Sequence, residues 1–271
     1  MEQHKNFPDF WSAVLILALL FGLQIIMAVI TYDLGLRFES GDPKVTAVLT
    51  VLSCGVVFSL LMSYKKLGYK QLFHSSRNSI KSTMILLTIP IVLTTSGAVF
   101  WITDLTNLVV LYYPMPDSEY QMYDRLFNSG LVSVIMVCLI APFVEEMLFR
   151  GVFLRSFLMN YSASNAIVLS SLLFALYHMN IYQLPVAFLF GCFSAWLYVK
   201  TRSLWPSVMA HTTYNCLATL FSYTQEIPAD APQHAIADFN PTWVIVISSA
   251  LSVLGITLLV KLFYPKKQQT T

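Results

Sequence analysis

Four ionisable side chains stand inside otherwise apolar stretches of this chain: Glu145, Glu146, His178 and His211, with Arg150 at a border. A charged side chain at the centre of a bilayer costs ~2.5 to 3.5 kcal/mol on insertion scales, so adjacent glutamates kept in an apolar segment mark a functional site by default. On a helix Glu146 and Arg150 lie four residues apart and share a face, whereas Glu145 lies about 100° around and is left free. Arg150 is expected to hold Glu146 ionised and oriented. Glu145, desolvated beside a like charge, is the carboxylate suited to take a proton. The spacing of four recurs in Phe174 with His178 and in His211 with Asn215. A glutamate base, histidines and an amide donor are the parts needed to activate water and to stabilise a tetrahedral oxyanion. Peptide-bond hydrolysis inside the membrane is therefore a natural chemistry for the group.

Other readings of the same residues stay open at this level. A buried histidine in a membrane bundle is more often an interhelical hydrogen-bond partner than a catalyst, and an arginine at a helix end is usually an anchor reaching for the interface. Two adjacent carboxylates joined by two histidines and an asparagine from other helices outweigh that structural reading. Ser170 and Ser171 lie about two turns from His178 and outside any G-x-S-x-G setting, so no serine nucleophile is invoked. The glutamates and histidines could bind zinc, but H-E-x-x-H and other standard ligand spacings are absent; no cofactor is expected, with zinc as the alternative. An ion pathway or proton relay is a further reading, set against the lack of an inverted repeat and the confinement of polar residues to the second half of the chain. A peptide-binding immunity protein without catalysis is the third.

The elements that position these residues follow from composition. Of 271 residues 56% are hydrophobic and only 11% charged, with mean hydropathy +0.66, far from the roughly 25% charged of a soluble globular chain. The chain reads as an all-α polytopic membrane protein of about eight transmembrane helices, in a single membrane domain over 1–271. Four spans carry no Asp, Glu, Lys, Arg or His: Trp11 to Ile30, Val45 to Ser63, Thr83 to Ile102 and Thr242 to Val260. The other four lie in the half of the chain with the polar cargo: Leu131 to Phe149, Ser164 to Ile181, Pro185 to Val199, which itself has no Asp, Glu, Lys, Arg or His, and Leu204 to Ser222. Trp101, Trp205 and Trp243 near span ends fit an interfacial aromatic belt. The first span is too long for a signal-peptide core and reads as retained. A net charge of +2 without basic runs interleaved with aromatics excludes a nucleic-acid face. Cys54, Cys138, Cys192 and Cys216 lie in apolar stretches and read as small core residues rather than disulfides.

Threading eight spans with the N-terminus inside places Lys5, Lys65, Lys66, Lys70, Arg77, Lys81, Arg150, Arg155, Lys200, Arg202, Lys261, Lys266 and Lys267 on the inner side. Only Arg37, Lys44 and Arg125 fall outside, where the acids Asp33, Glu39, Asp42, Asp104, Asp117, Glu119, Asp124, Glu226, Asp230 and Asp238 collect. The excess of basic residues on one side assigns both termini to the cytoplasm. The fourth helix is expected to run past Arg150 to about Leu158, with Pro142 freeing the carbonyl of Cys138 and kinking it near the glutamates. If it does, the fifth and sixth helices can form a hairpin that does not fully cross, so the count of eight is good to about one. Glu145 lies 13 residues before the intervening turn and His178 14 after it, ~20 Å along each helix, so the two can meet.

The motifs Glu145-Glu146-x-x-x-Arg150, Phe174-x-x-x-His178 and His211-x-x-x-Asn215, in that order on successive apolar helices, resemble those of the CPBP family. This family comprises the CAAX prenyl endopeptidase and bacteriocin-processing membrane proteases, also called Abi. The resemblance covers 131–222, with Arg150-Gly151-Val152-Phe153 similar to the stretch after the paired glutamates. It implies a metal-free glutamate-type intramembrane endopeptidase. Glu145 and His178 would activate water, His211 and Asn215 would form the oxyanion pocket, and Glu146, Arg150 and Phe174 would support them. It implies a peptide or lipidated protein substrate drawn from the membrane, in CAAX-type processing or in bacteriocin or pheromone maturation and immunity. The compact chain and short loops favour a prokaryotic plasma-membrane member; the sequence sets no oligomeric state.

Overall fold

The computed structural model describes residues 6–35, 42–128, 130–224 and 239–265. Lys5, Arg37, Glu39, Glu226, Asp230, Asp238, Lys266 and Lys267, counted in the loop assignment, lie outside the described residues. Among the described residues there is no β-strand, only an isolated antiparallel bridge between His74 and Ser203. In chain order the helices are α1 (Phe10–Asp33), α2 (Pro43–Lys65), the short α3 (Tyr69–Phe73), α4 (Ile80–Tyr112) and α5 (Asp117–Asn128). Then come α6 (Leu131–Asn160), α7 (Ala163–Tyr177), α8 (Leu184–Thr201), α9 (Trp205–Thr224) and α10 (Thr242–Phe263).

The chain is an all-α, multi-pass membrane protein. By length and composition α1, the Val48–Lys65 part of α2, α4, α6, α8 and α10 can each cross a bilayer. Leu15, Leu19, Ile25, Ile26 and Ile30 of α1 are exposed, as expected of a helix whose solvent is lipid. The two remaining expected spans differ from the rest for separate reasons. Helix α7 has 15 residues, ~22 Å, short of a ~30 Å hydrocarbon core. Helix α9 has the length, at 20 residues, but its apolar run is interrupted by His211, Thr212, Thr213 and Asn215.

Helix α4 extends ten residues beyond the apolar run read from the sequence, with Asp104 on its later turns instead of in a loop. The carboxylate is used there: Asp104 Oδ1 accepts from Asn240 N at 2.9 Å and Asn240 Nδ2 at 2.8 Å, pinning the approach to α10. Along the rest of this pair small residues let the backbones touch. A Cβ on Gly97 would collide with Ser248 O and Ser252 Oγ, and one on Gly255 with Thr94 Oγ1 and Pro90 O, which is how helices associate where lipid removes the hydrophobic drive. Trp101 is part of this seam, its indole donating to Ser252 Oγ at 3.3 Å. Trp205 packs against Phe73 and Phe143. Of the three tryptophans assigned to an interfacial belt, Trp243 keeps the outward exposure. Cys54 and Cys138 are buried as expected, but Cys216 is exposed.

Helix α6 forms one continuous rod from Leu131 to Asn160, as the sequence suggested, but not a uniform one. Met136–Ile140 and Met147–Leu154 are π-helical, flanking the α-helical turn Ala141–Glu146 that carries both glutamates. Ser162 then caps α7, its hydroxyl accepting from Asn165 N at 3.3 Å. The chain turns back, and α7 and α8 pack as an antiparallel hairpin against α6. At their crossing a Cβ on Gly191 would sit 3.0 Å from Ser171 Cβ and 3.2 Å from its Cα, so that α7 would have to shift by a few tenths of an ångström to admit one.

Candidate active site

Glu146 sits at the centre of the group, fully buried and surrounded by donors. Arg150 Nη1 donates to its Oε1 at 3.1 Å, His211 Nδ1 to the same oxygen at 3.0 Å, and Ser194 Oγ to Oε2 at 2.7 Å. The next turn of α6 and two further helices, α8 and α9, thus fix one carboxylate. A buried carboxylate is tolerable only when paired and fully hydrogen-bonded, and this one is. Arg150 is fully buried too, instead of reaching for an interface. Its Nη2 donates to Gly191 O at 3.0 Å and its guanidinium lies 4.5 Å above the Phe174 ring.

Glu145 has the opposite environment. Its Oε2 is buried without a hydrogen-bond partner, 3.8 Å from His211 Nε2, a distance beyond direct hydrogen bonding that leaves its acceptor capacity free. The neighbouring glutamates are thereby divided, one saturated and one available.

The two histidines share a logic. His178 Nδ1 lies 2.9 Å from Phe174 O; a carbonyl can only accept, so Nδ1 carries the proton and Nε2 is left with its lone pair. His211 Nδ1 is likewise committed, to Glu146. His211 can donate from Nε2 only with both nitrogens protonated. Phe174 connects these parts, its ring 4.9 Å from His178 and 5.7 Å from His211 and edge-on to both. His178 therefore joins the group through Phe174, while the histidine against Glu145 is His211.

Asn215 explains the distortion of α6. In a π-helix the amide of residue i bonds the carbonyl five residues back, as Ala141 N does to Met136 O. Residue 142 is proline and has no N–H, so the carbonyl left without a partner in this register is that of Val137 rather than Cys138. Asn215 Nδ2 donates to Val137 O at 2.8 Å. One of its two N–H groups is spent there and the second stays available.

Ser194 and Gly191 were not singled out from the sequence. They lie three residues apart in a span without ionisable groups, and their closest signal is that spacing of small residues. Ser207 Oγ, donating to Ser194 O at 2.9 Å, ties α9 to the same point. Ser170 and Ser171 both donate to Ile167 O, which occupies their hydroxyls within α7. Among the described residues no group of three or more His, Cys, Asp or Glu side chains is arranged to hold a metal ion.

Fold and site together define a polytopic membrane protein with a buried acid–base cluster at the crossing of α6, α7, α8 and α9. Residues 127–217, the segment that contains every member of that cluster, match the family model of Type II CAAX prenyl endopeptidase Rce1-like proteins. The match supports the CPBP family for this chain, and with it an endopeptidase of the CAAX-processing, intramembrane kind. No curated protein and no solved structure matches the chain.

Proposed function

We propose that the protein is a glutamate-dependent intramembrane endopeptidase that hydrolyses a peptide bond in a prenylated or otherwise membrane-held peptide or protein. The observation that supports this most is the division of labour between adjacent glutamates. Glu146 is saturated by Arg150, His211 and Ser194, and Glu145 keeps a buried oxygen with no partner. Glu145, assisted by the free Nε2 of His178, takes a proton from water as its oxygen attacks the scissile carbonyl carbon. The doubly protonated His211 and the second N–H of Asn215 stabilise the oxyanion that forms. Glu145 then returns the proton to the leaving amine, so the water is consumed and the enzyme restored. Arg150 and Phe174 hold Glu146 and the two imidazoles in place. This scheme draws on no metal. We place the protein in a prokaryotic plasma membrane, both termini cytoplasmic, acting in CAAX-type processing or in the maturation of bacteriocin or pheromone peptides.

The test is cleavage of quenched-fluorescence peptides, prenylated and plain, by purified protein in detergent, with and without a strong chelator. The expected result is cleavage that survives the chelator and is lost in Glu145→Gln and His178→Ala. Chelator-sensitive cleavage would replace this mechanism with a metalloprotease. Retained cleavage in Glu145→Gln would remove its base, and no cleavage of any peptide would leave a binding-only immunity protein or an ion pathway as the better reading.

A further inference from the structure

We propose that Glu119 and Asn180, outside the three motifs, are positioning residues that set His178 for the reaction; this rests on the role given to His178 above. His178 lies just past the last turn of α7, with its own amide bonded to Ala175 O at 3.3 Å. What fixes it must come partly from the residues that follow. The next residue, Met179, has φ of 48° and is exposed. A non-glycine side chain seldom takes this left-handed conformation unless its neighbours impose it, and such residues cluster at functional sites.

Met179 N still bonds Leu176 O at 3.0 Å, and Asn180 holds the turn that follows. Its Oδ1 accepts from Tyr182 N at 2.8 Å and Gln183 N at 3.2 Å, closing the turn, while its backbone oxygen accepts from Leu184 N at the start of α8. The remaining Asn180 group, Nδ2, donates to Glu119 Oε2 at 3.3 Å. That carboxylate lies in the first turn of α5, an amphipathic helix between α4 and α6. A second fixture runs beside it. The Tyr182 hydroxyl donates to Pro114 O at 3.2 Å, and its ring is buried with Met115 and Val110 in a small apolar cluster apart from the main core. The turn between α7 and α8 is therefore clamped to the Pro114–Glu119 segment by one charge-assisted hydrogen bond and one buried phenol. Because Asn180 is two residues from His178, loosening the clamp frees the backbone that aims the imidazole. Neither residue bonds a member of the acid–base cluster, so they act on turnover through His178.

The experiment compares steady-state cleavage and amide hydrogen exchange in Glu119→Ala, Asn180→Ala, their double variant and Glu119→Gln, alongside His178→Ala and Glu145→Gln. The expected result is a fall in kcat of about tenfold in each alanine variant with KM within about twofold, as misplacement of a catalytic group gives. The double variant should be no worse than either single one. Glu119→Gln, which still offers an acceptor to Asn180, should restore most of the rate. Exchange should quicken over 178–184 in both alanine variants and stay unchanged over 163–177. Unchanged kcat with unchanged exchange in Glu119→Ala overturns the proposal, as does a rise in KM alone, which would make α5 a substrate contact. If an alanine variant is too unstable to assay, a Glu119→Gln enzyme as slow as that expected for the loss of the clamp overturns it equally. Activity retained in His178→Ala removes the catalytic reading instead, and is distinguishable because it does not depend on Glu119.

Discussion

At the residue scale the adjacent glutamates should respond differently to the same substitution. Glu145→Gln keeps shape and removes the base, so kcat should fall by about 10² to 10⁴ while the protein stays folded, as thermal melting and turnover in detergent would show. Glu146→Gln replaces an acceptor-only carboxylate with an amide that has one acceptor oxygen, opposite Arg150, Ser194 and His211. One of these donors then faces an NH2 group, and Arg150 loses its counter-charge in a fully buried position. Breaking one partner of such a pair costs about 3 to 5 kcal/mol, so the principal expected result is a large drop in Tm. Ser194→Ala tests the same carboxylate more gently. It removes the 2.7 Å hydrogen bond to Oε2 and should cost about 1 to 3 kcal/mol in stability, with reduced turnover. The charged members of this group were readable from the sequence because an ionisable side chain in an apolar run has to be explained. Ser194 and the carbonyl of Gly191 were silent, since a hydroxyl or a peptide group in a span carries no comparable cost and every helix has carbonyls to offer. The pairing of His211, instead of His178, with Glu145 was also out of sight. Equal helix depths bring two residues to the same level without saying which way each side chain points.

At the scale of the element α6 is the part whose behaviour least resembles its sequence pattern. The apolar run past Arg150 was enough to expect a long helix, and the proline enough to expect a distortion. The way the distortion is absorbed was not, because a change from four- to five-residue hydrogen bonding leaves no mark in composition. It depends on a donor from α9, nearly eighty residues away. Asn215→Leu keeps the branched shape and removes that donor, leaving Val137 O buried and unpaired. It should lower stability by about 1 to 3 kcal/mol, with a larger loss of activity than of Tm, because the turn bearing Glu145 follows directly. Pro142→Ala supplies the missing N–H and lets α6 tighten. Its expected signature is opposite in one respect: Tm holds or rises while kcat falls, since the helix improves as the glutamates turn away from His211. Measuring both variants by melting and by turnover separates a π-helical stretch kept for function from one that merely accommodates a proline.

For the whole molecule the question is how far the scaffold and the site can be separated. Helix α4 stands between two partners. On one side it meets α10 through the Gly97, Ser248 and Ser252 contacts and the Asp104–Asn240 pair. On the other it reaches α9 through the edge-on Phe100–Phe221 contact and Thr88 against Met209. Helix α10 has no member of the acid–base cluster, and α9 has two. This ranking left no mark in the amino-acid pattern, since both helices read as equal spans and small residues at helix seams do not name their partners. If α10 acts only as a brace, damage at its seam should spread to stability and stop short of chemistry. Gly97→Leu places a branched side chain where even a Cβ collides with Ser248 O. The overpacking should cost about 1 to 3 kcal/mol and lower Tm, while kcat per folded molecule at a temperature well below the new midpoint stays within about twofold of wild type. A parallel fall in kcat at that temperature would mean that the seam sets the position of α9, and hence that His211 and Asn215 are held against α6 from the far side of the molecule through α4.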